Sequence, residues 1–373
     1  MTSRLHLCRP ERDPPLLAEL DSSFRGSLHV VLTSGLVRSD LSPDDAARTP
    51  CLAFAEQVLP APQPLPVPSV TRGADALADA VLAGLEGHAG PWRLHVLSHA
   101  APEGQLGPGR ARLVRGRTLA ELKERRRALH RALIEDDRPW ADDEALVQLL
   151  LVSLESGWLS ICRPDERRHL RRCLSRFPGG VVTVPEDKGP PSRAYAKLLE
   201  AERQAGFAIG AGQTCVDLGG SPGGWSAVAL ARGARVLAVD RAPLRDDLMR
   251  HERLVFRRGD AFKFRPDAAP RGAEPLPAWL VPPVDWLLCD VIAFPERTLE
   301  LLATWLEQRW CRRFVVTVKF RGAADLGRLA ELKALLEASG AEFLVRRLRA
   351  NKNEVTAAGE LADGASAARG PTV

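Results

Sequence analysis

One short stretch limits the fold of this chain more than any other: an apolar strand that runs into a glycine-rich turn and then a helix. It reads Thr214-Cys215-Val216-Asp217-Leu218-Gly219-Gly220-Ser221-Pro222-Gly223-Gly224-Trp225. A turn of this kind places backbone N–H groups and a helix N-terminus beside a bound nucleotide. Nicotinamide and flavin enzymes also use such turns. The stretch therefore predicts a Rossmann-like α/β domain and a nucleotide-type ligand, without choosing the ligand.

Around this turn, predicted strands and helices alternate, which is typical of a parallel sheet covered on both faces. The domain is predicted to span residues 186–356, with a proline-rich insertion from Pro266 to Pro283. Residues 357–373 are small and polar, so they predict a disordered tail. The predicted strands are 214–218, 235–239, 253–257, 284–289, 313–318 and 342–348, and the predicted helices are 192–204, 226–232, 296–310 and 324–339.

Residues 1–180 predict an α+β region. Strands are predicted at 28–33 and 92–97, helices at 74–85 and 118–133, and a hairpin at 145–154 with 158–162. Proline stands at every second position from Pro60 to Pro68, so the segment 59–68 predicts an extended polyproline-like connector outside any core. Glycines and prolines between 180 and 190 predict the boundary between the two regions.

The net charge of +5 over 373 residues only weakly suggests a polyanionic partner, but the positive charge is concentrated in two places. Residues 112–131 hold eight Lys/Arg against two Glu, and a helix predicted to begin at Pro164 would carry Arg167, Arg168, Arg171 and Arg172 on one face. Two interpretations stay open for these side chains: a solvated helix surface, or contact with phosphates.

Composition excludes several other classes of protein. No apolar run approaches the ~20 residues that span a bilayer, and the first ten residues are too polar for a signal peptide, so we expect a cytoplasmic protein with no membrane partner. The seven cysteines form no Cys-x-x-Cys pair, and no histidine pair has zinc spacing. We therefore predict reduced, mostly buried thiols and no metal site.

The spacing within the turn argues against a dinucleotide. Ser221 stands where the Gly-x-Gly-x-x-Gly fingerprint requires its second glycine, and the pair Ser221-Pro222 is bulky where a pyrophosphate must approach the backbone. A smaller ligand without that anion fits better. Asp240, after the second predicted strand, could accept both hydroxyls of a ribose, and Asp260, after the third, could accept from an adenine amino group. Either acid could instead be a helix N-cap.

Four ionisable residues far apart in sequence fall at positions that face the active edge of such a sheet. Asp290 and Lys319 each stand directly after an apolar predicted strand, at the carboxyl ends where open α/β sheets bind ligands. A lysine there is less common than an acid because its charge is costly to bury. Lys197 lies on the helix before the turn, and Glu354 lies near the end of the predicted domain.

Transfer of a methyl group from a sulfonium to a ribose hydroxyl would use this combination. The hydroxyl is a poor nucleophile until a base removes its proton, and Lys319 is the candidate base. The ammonium of Lys197 and a positive sulfonium would both favour the neutral amine, whereas Asp290 opposes it, so its predicted role is to orient the lysine and the hydroxyl. Glu354 would position Lys197 or the ribose.

Rival methyl acceptors predict other residues. Exocyclic base amines are usually served by an Asn/Asp-Pro-Pro-aromatic segment, and here the corresponding segment reads Asp290-Val291-Ile292-Ala293. Methylation of a pyrimidine carbon needs a cysteine nucleophile. Cys289 is the candidate, but strand alternation points its side chain away from the face that Asp290 uses.

Five stretches of the chain match one known family: Ser192-Arg193-x-x-x-Lys197-Leu198, Asp217-Leu218-Gly219-x-x-Pro222-Gly223-Gly224-Trp225, Asp260-x-Phe262-Lys263-Phe264-Arg265-Pro266, Cys289-Asp290 and Glu354-Val355-Thr356. In these stretches the chain resembles the FtsJ-type ribose 2′-O-methyltransferases. The hallmark of that family is a Lys-Asp-Lys-Glu tetrad on an S-adenosylmethionine-binding Rossmann fold. Within the family the resemblance is greatest to bacterial enzymes that act on large-subunit ribosomal RNA.

The resemblance implies S-adenosylmethionine as the methyl donor, 23S ribosomal RNA as the partner and a cytidine ribose as the acceptor. It implies a THUMP-like RNA-binding region before the methyltransferase domain, and a monomer is the default oligomeric state. The implied catalytic residues are Lys197, Asp290, Lys319 and Glu354. The implied cofactor-binding residues are Asp217, Gly219, Gly220, Ser221, Pro222, Gly223, Gly224, Trp225, Asp240, Asp260 and Asp290.

Two departures from the family pattern and two rival functions remain. The family's last strand continues with alternating apolar residues, whereas here Ala357-Ala358-Gly359 predicts a short strand; the insertion 266–283 adds a loop near the RNA side. A non-catalytic RNA-binding protein that retains the cofactor fold is one rival. A nicotinamide oxidoreductase is the other, and the glycine spacing and the lack of a convincing catalytic His or Tyr count against it.

Overall fold

The computed structural model describes residues 2–10, 12–99, 107–268, 274–322 and 324–362. The chain divides into two compact units, Met1–Val181 and Val182–Val373, and the division falls inside the stretch 180–190 where the sequence predicts a boundary. Each unit has its own sheets and its own buried core, so each is described by itself.

The first unit holds two four-stranded sheets. The strands are β1 (Thr2–Leu7), β2 (Leu28–Thr33), β3 (Leu36–Leu41), β4 (Gln57–Pro60), β5 (Gln63–Pro66), β6 (Trp92–Ser98), β7 (Ala145–Leu151) and β8 (Ser156–Cys162). The helices are α1 (Asp13–Ser23), α2 (Pro43–Ala46), α3 (Val70–Gly84), α4 (Pro108–Arg125), α5 (Arg127–Arg131) and α6 (Pro164–His169). One sheet has the order β2-β3-β1-β4 and is antiparallel.

The second sheet of this unit has the order β5-β8-β7-β6, in which β6 and β7 are parallel and the other pairs antiparallel. Helices α3 and α4 cover it, because their apolar positions recur at helical spacing and join one core with Trp92, Val147 and Leu149. The hairpin formed by β7 and β8 confirms the prediction for 145–154 and 158–162.

The extended conformation predicted for 59–68 is confirmed by β5, but the prediction that this segment lies outside any core is wrong, because Leu59 and Val67 are buried. Strand β4 is buried along its whole length, and β5 pairs with β8 as the edge strand of its sheet. In an antiparallel pair only alternate residues exchange N–H···O bonds with the partner strand. Pro64 and Pro66 alternate with Gln63 and Leu65, so an edge strand can carry both prolines without losing donors to β8.

The predicted basic face after Pro164 is also wrong. Helix α6 ends at His169, so Arg171 and Arg172 do not continue it. Arg167 is only 3% exposed; its Nε donates to the backbone oxygen of Glu144 at 2.7 Å, and its guanidinium lies 4.7 Å from the ring centroid of Trp140. A planar guanidinium can satisfy carbonyls and stack on an indole together, so Arg167 stabilises the unit and is not available to phosphate.

The second unit is a doubly wound α/β domain, as the turn and the strand–helix alternation predict. Its strands are β9 (Thr214–Leu218), β10 (Arg235–Asp240), β11 (Leu254–Arg258), β12 (Val284–Cys289), β13 (Cys311–Lys319), β14 (Ala341–Arg346) and β15 (Glu354–Leu361). Its helices are α7 (Tyr195–Ala205), α8 (Gly224–Ala231), α9 (Asp246–Met249), α10 (Pro295–Glu307) and α11 (Leu326–Ala338).

The sheet of this unit has the order β11-β10-β9-β12-β13-β15-β14, and β15 alone runs against its neighbours. The chain proceeds outward in one direction from β9 to β11 and in the other from β12, so the order reverses between β9 and β12. Ligands of open α/β sheets bind at the carboxyl ends of the strands beside such a reversal. Because β15 is antiparallel, its first residue, Glu354, lies at that same edge.

The predictions of a short last strand and of a disordered tail from residue 357 are wrong for residues 357–361. Strand β15 runs through Leu361 and lies between β13 and β14. Ala357 and Ala358 are fully buried, and a Cβ at Gly359 would lie 2.5 Å from Cζ of Phe314. Gly359 therefore leaves room for the Phe314 ring, and the small residues that resemble a tail in sequence lie inside the sheet. Residues 363–373 of the predicted tail lie outside the described residues.

Candidate active site

The sheet register brings three of the four predicted ionisable residues to one place. Lys319 at the end of β13 pairs directly with Glu354 at the start of β15, and Asp290 directly follows β12, the other neighbour of β13. Lys197 comes from the first turn of α7, which packs against β15. Side chains of residues paired across strands share a face, so the fold places these charges on one side of the carboxyl edge.

One carboxylate bridges the two ammonium groups. Lys197 Nζ donates to both Asp290 carboxylate oxygens, at 3.1 and 3.0 Å, and lies 2.6 Å from Glu354 Oε1. Lys319 Nζ lies 3.2 Å from Asp290 Oδ1 and donates to the Asp290 backbone oxygen at 2.9 Å. All four residues predicted from sequence therefore meet in one cluster.

The cluster is partly screened from water, and its charges hold one another. The side chains are 12% exposed for Lys197, 15% for Asp290, 19% for Lys319 and 9% for Glu354. Burial opposes the charge on Lys197, but Asp290 and Glu354 outweigh it and raise the pKa of this lysine. Burial also disfavours the Glu354 carboxylate, yet its hydrogen bond and charge pairing with Lys197 lower the pKa of Glu354. Both groups therefore carry charge at neutral pH.

Two further residues that the sequence analysis missed hold this cluster in place. Buried Asn351 donates through Nδ2 to Glu354 Oε1 at 3.3 Å, and its Oδ1 accepts from the Leu348 N–H at 2.7 Å. Glu200 on α7 accepts from the backbone N–H of Arg349 at 2.8 Å, which ties the helix that carries Lys197 to the β14–β15 turn. Neither residue belongs to a local motif, so only the three-dimensional contacts identify them.

The glycine-rich turn leaves β9 and begins α8. Gly219 has φ +74° and a Cβ there would lie 2.9 Å from Cβ of Val291, while Gly223 has φ +111° and a Cβ there would lie 2.4 Å from Leu248 Cδ1. Both positions therefore require glycine. The side chain of Trp225 faces inward; it is 3% exposed, and its Nε1 donates to the Ala194 oxygen at 2.7 Å.

Asp217 supports the turn from beneath. It is 2% exposed, and its Oδ2 accepts from the Ser226 hydroxyl at 2.6 Å. Burial raises the pKa of Asp217 to about 7, although the Ser226 bond acts in the opposite direction. The carboxylate therefore spans β9 and α8 inside the domain and does not face solvent.

The two other predicted acids lie at the carboxyl ends of the next strands. Asp240 accepts from the backbone N–H of Ser221 at 3.0 Å and of Ala242 at 2.9 Å, so it fixes the turn while each oxygen retains a lone pair. Asp260 accepts from the Phe262 N–H at 3.0 Å and from Arg241 Nη2 at 2.9 Å. The N-cap alternative therefore applies to Asp260, which caps the short helical turn 261–263.

The cysteines offer no nucleophile at this edge. All seven are free and buried, as predicted. Cys289, next to Asp290, has no exposed surface, and burial raises the pKa of its thiol to about 12.

Among the described residues no group of three or more His, Cys, Asp or Glu side chains could hold a metal ion. The helices in the described ranges include none that is both long and apolar enough to cross a membrane.

Comparison with known proteins agrees with this geometry. Residues 190–315 match a family model described as FtsJ-like methyltransferase. The ribosomal RNA large subunit methyltransferase M of Thauera aminoaromatica is 31% identical over 223 residues, which cover 57% of this chain and 56% of that protein. The protein of that name from Azotobacter vinelandii is 32% identical over 222 residues, which cover 56% and 57%.

These two alignments span little more than half of the relatives' length, whereas a third is nearly complete. The ribosomal RNA large subunit methyltransferase M of Alkalilimnicola ehrlichii is 30% identical over 367 residues, which cover 94% of this chain and 92% of that protein. The resemblance expected from the five sequence stretches is thereby confirmed. This chain belongs to the FtsJ-like methyltransferase family that includes the ribosomal RNA large subunit methyltransferases M.

Proposed function

We propose that this protein transfers the methyl group of S-adenosylmethionine to a ribose 2′-hydroxyl of large-subunit ribosomal RNA, a cytidine of 23S RNA being the acceptor. The observation that carries the proposal is the chain of ion pairs at the carboxyl edge of the sheet, which joins Glu354 to Lys197 at 2.6 Å, Lys197 to Asp290 at 3.0 Å and Asp290 to Lys319 at 3.2 Å. Membership of the FtsJ-like family supports the reaction class, and the names of the relatives support the substrate.

The turn and its neighbours fit the proposed donor. S-adenosylmethionine supplies a methyl group activated by a positive sulfonium. Gly219 packs against Val291 and carries no side chain, and the turn leads into the N-terminus of α8, where main-chain N–H groups can face the donor. Asp240 keeps one lone pair on each oxygen for two ribose hydroxyls, and Asp260 is the acceptor proposed for an adenine amino group. Asp217 and Trp225 would act beneath the turn.

The two lysines have different surroundings and therefore different roles. Lys197 faces two carboxylates, and its raised pKa keeps it protonated, so its charge stabilises the oxygen as negative charge develops there. Lys319 has a single carboxylate partner within the described ranges and the greater exposure, so it is the better acceptor for the hydroxyl proton. The ammonium of Lys319 first gives a proton to solvent, and its neutral Nζ would then accept the proton of the ribose 2′-hydroxyl.

The first unit is proposed to bind RNA as a THUMP-like region. Support comes from helix α4, where Arg112 and Lys123 are exposed, and no acidic partner contacts them within the described part of the chain. They are separated by 11 residues, close to three helical turns, so they share one face and lie about 16 Å apart. That spacing allows each to contact a separate phosphate.

The test is Lys319→Ala in a methyl-incorporation assay on 23S-type RNA. Turnover should fall by about 10²–10⁴-fold because the base is lost, while cofactor affinity should stay within about twofold because Lys319 acts on the acceptor. Lys333→Ala, on α11 away from the cluster, is the matched control and should keep wild-type turnover.

Two outcomes would overturn parts of the proposal. Wild-type turnover in Lys319→Ala would remove this lysine from the role of base. The position of the methyl group is read separately, because a 2′-O-methyl group protects the adjacent phosphodiester from alkaline cleavage. A methyl group on a base atom would remove ribose as the acceptor and leave only the family membership.

A further inference from the structure

The loop after Asp290 presents large apolar side chains to solvent at the mouth of the charged cluster. Ile292 is 91% exposed, the highest value for a large apolar residue in the described ranges, and Phe294 is 45% exposed. Single exposed apolar residues are ordinary on a protein surface. Two of them within four residues of Asp290 do not contribute to the core, so their placement calls for a partner.

Arg321 covers part of this apolar loop. Its guanidinium carbon lies 3.5 Å from the ring centroid of Phe294, and the arginine is itself exposed. Arg321 follows Lys319 by two residues, just beyond the end of β13. The stacked pair therefore joins the loop that follows Asp290 to the loop that follows Lys319. A guanidinium over an aromatic ring is a favourable contact, which helps to hold both planes in place.

The chemistry of this surface matches an unpaired nucleobase. Proteins that read single-stranded RNA stack its splayed bases on aromatic rings and on arginine planes, with aliphatic side chains alongside. A ribose whose 2′-hydroxyl reaches Lys319 and Asp290 carries its base within one nucleotide of them. Resting on the function proposed above, we propose that Ile292, Phe294 and Arg321 form a stacking platform for an unpaired RNA base at the acceptor site.

A positive side chain alone would attract the RNA backbone without needing the apolar neighbours. The aromatic ring beneath Arg321 and the nearly bare Ile292 favour a flat, apolar surface over a phosphate, because burying them against a charged oxygen gains nothing. The platform therefore positions the nucleotide and takes no part in proton transfer, which assigns its effect to RNA affinity and not to the chemical step.

The experiment combines kinetics with a fluorescent probe. Phe294→Ala should raise KM for 23S-type RNA about tenfold, the scale expected for loss of one stacked base, with kcat within about threefold and cofactor affinity unchanged. Phe294→Trp should restore KM. Val281→Ala is the matched control, because Val281 is 67% exposed but precedes β12 and so lies at the opposite edge of the sheet.

The probe is a single-stranded RNA decamer that carries one fluorescent cytidine analogue. Binding to the wild type should quench the analogue by stacking, and Phe294→Ala and Arg321→Ala should lose the quench while Arg235→Ala, at the opposite edge, keeps it. Unchanged KM and quench in Phe294→Ala would overturn the platform. If the wild type quenches the probe but transfers no methyl group, only the catalytic proposal fails; if it methylates RNA without quenching, only the platform fails.

Discussion

Both units of this molecule enclose ionised side chains, but they satisfy them differently. In the first unit Arg93 and Glu144 form a pair whose side chains are 5% and 0% exposed, with Nε and Oε1 2.5 Å apart. Arg93 also donates to the backbone oxygens of Asp136 at 2.6 Å and Arg138 at 2.9 Å. In the second unit, the four residues at the sheet edge stay 9–19% exposed, and the two lysines share the Asp290 carboxylate.

The difference shows how the same chemical groups serve structure or reactivity. A guanidinium forms several fixed hydrogen bonds from one plane, so Arg93 ties the start of β6 to the loop before β7 and has little to offer a ligand. An ammonium is a point donor whose protonation state can change. Two lysines share Asp290 at a partly exposed edge, so under the proposed function they are available to a substrate. Side-chain exposure and shared partners therefore separate a candidate site from a structural ion pair better than charge alone.

Removing one carboxylate from each cluster tests this comparison, and the largest effect is expected in the first unit. Glu144→Ala should lower the free energy of unfolding by about 3–5 kcal/mol, because it leaves the buried Arg93 guanidinium without its counter-charge. Glu354→Ala should cost only about 1 kcal/mol, since Lys197 keeps Asp290, but it should lower turnover by about 100-fold through misplacement of Lys197. Urea unfolding and methyl incorporation measure the two effects.

Glu354→Gln is the control that separates the negative charge of Glu354 from the size of its side chain. It retains an oxygen for Asn351 but loses the charge that raises the pKa of Lys197, so its turnover should lie between those of the wild type and Glu354→Ala. The comparison breaks if Glu354→Ala proves as destabilising as Glu144→Ala, because the sheet-edge cluster would then be a structural element like the Arg93 pair.

Asp217 is a third kind of buried ionisable group, to be compared with the two ion-pair clusters. Its carboxyl group accepts a hydrogen bond from an uncharged hydroxyl, that of Ser226. Its folded pKa of about 7 exceeds that of an unfolded aspartate, about 3.9, so the native state binds more protons between these values. The wild type should therefore lose stability as pH rises from about 4 to about 7. Asp217→Asn removes this loss, and its gain over the wild type should reach on the order of 2–4 kcal/mol and stay constant above that window.

Thermal or urea unfolding of both proteins at several pH values measures this gain. Ser226→Ala supplies a matched variant: it removes the donor that lowers the pKa of Asp217, so the loss of stability should extend to higher pH. A difference between Asp217→Asn and the wild type that does not change with pH would mean that the carboxylate is not held in its neutral form by burial.

The second unit was largely predictable from sequence because its signals are local. Strands β9 and β12 match their predicted bounds, since each is a short apolar run that ends at a turn or at a charged residue. Asp290 and Lys319 could be found from their positions, because a parallel sheet delivers its carboxyl ends to one edge, whereas Lys197 and Glu354 were picked out by the chemistry of the combination and by the family resemblance. Asn351 was missed because its role depends on hydrogen bonds to Glu354 and Leu348 that no sequence pattern encodes.

The first unit was harder because its decisive contacts are long-range. The prolines around β5 signal an extended chain, and only the pairing with β8 shows that this segment is an edge strand. The sequence predicted that Arg167 belongs to a basic surface, but in the structure it is buried against Trp140 and the backbone oxygen of Glu144. Likewise the glycine at 359 of β15 is explained only by the Phe314 ring, which lies where a Cβ at Gly359 would be. A sequence pattern predicts a helix or strand correctly when residues nearby in the sequence determine that element. It fails when a residue distant in the sequence determines the structure.

The smallest predicted effect concerns Arg112 and Lys123 of the first unit, for which the described residues provide no such fixed partners. Arg112→Glu with Lys123→Glu, on the exposed face of α4, should weaken RNA binding about 3–10-fold at moderate salt and reduce the salt-dependence slope by about 1–2, because two phosphate contacts are lost. Turnover at saturating RNA should not change. Arg235→Glu, an exposed reversal in the second unit, is the control. If the wild type, the double variant and Arg235→Glu show the same salt dependence of RNA affinity, the exposed face of α4 is a solvated surface. Charges available to a ligand would then be found only at the sheet edge of the second unit.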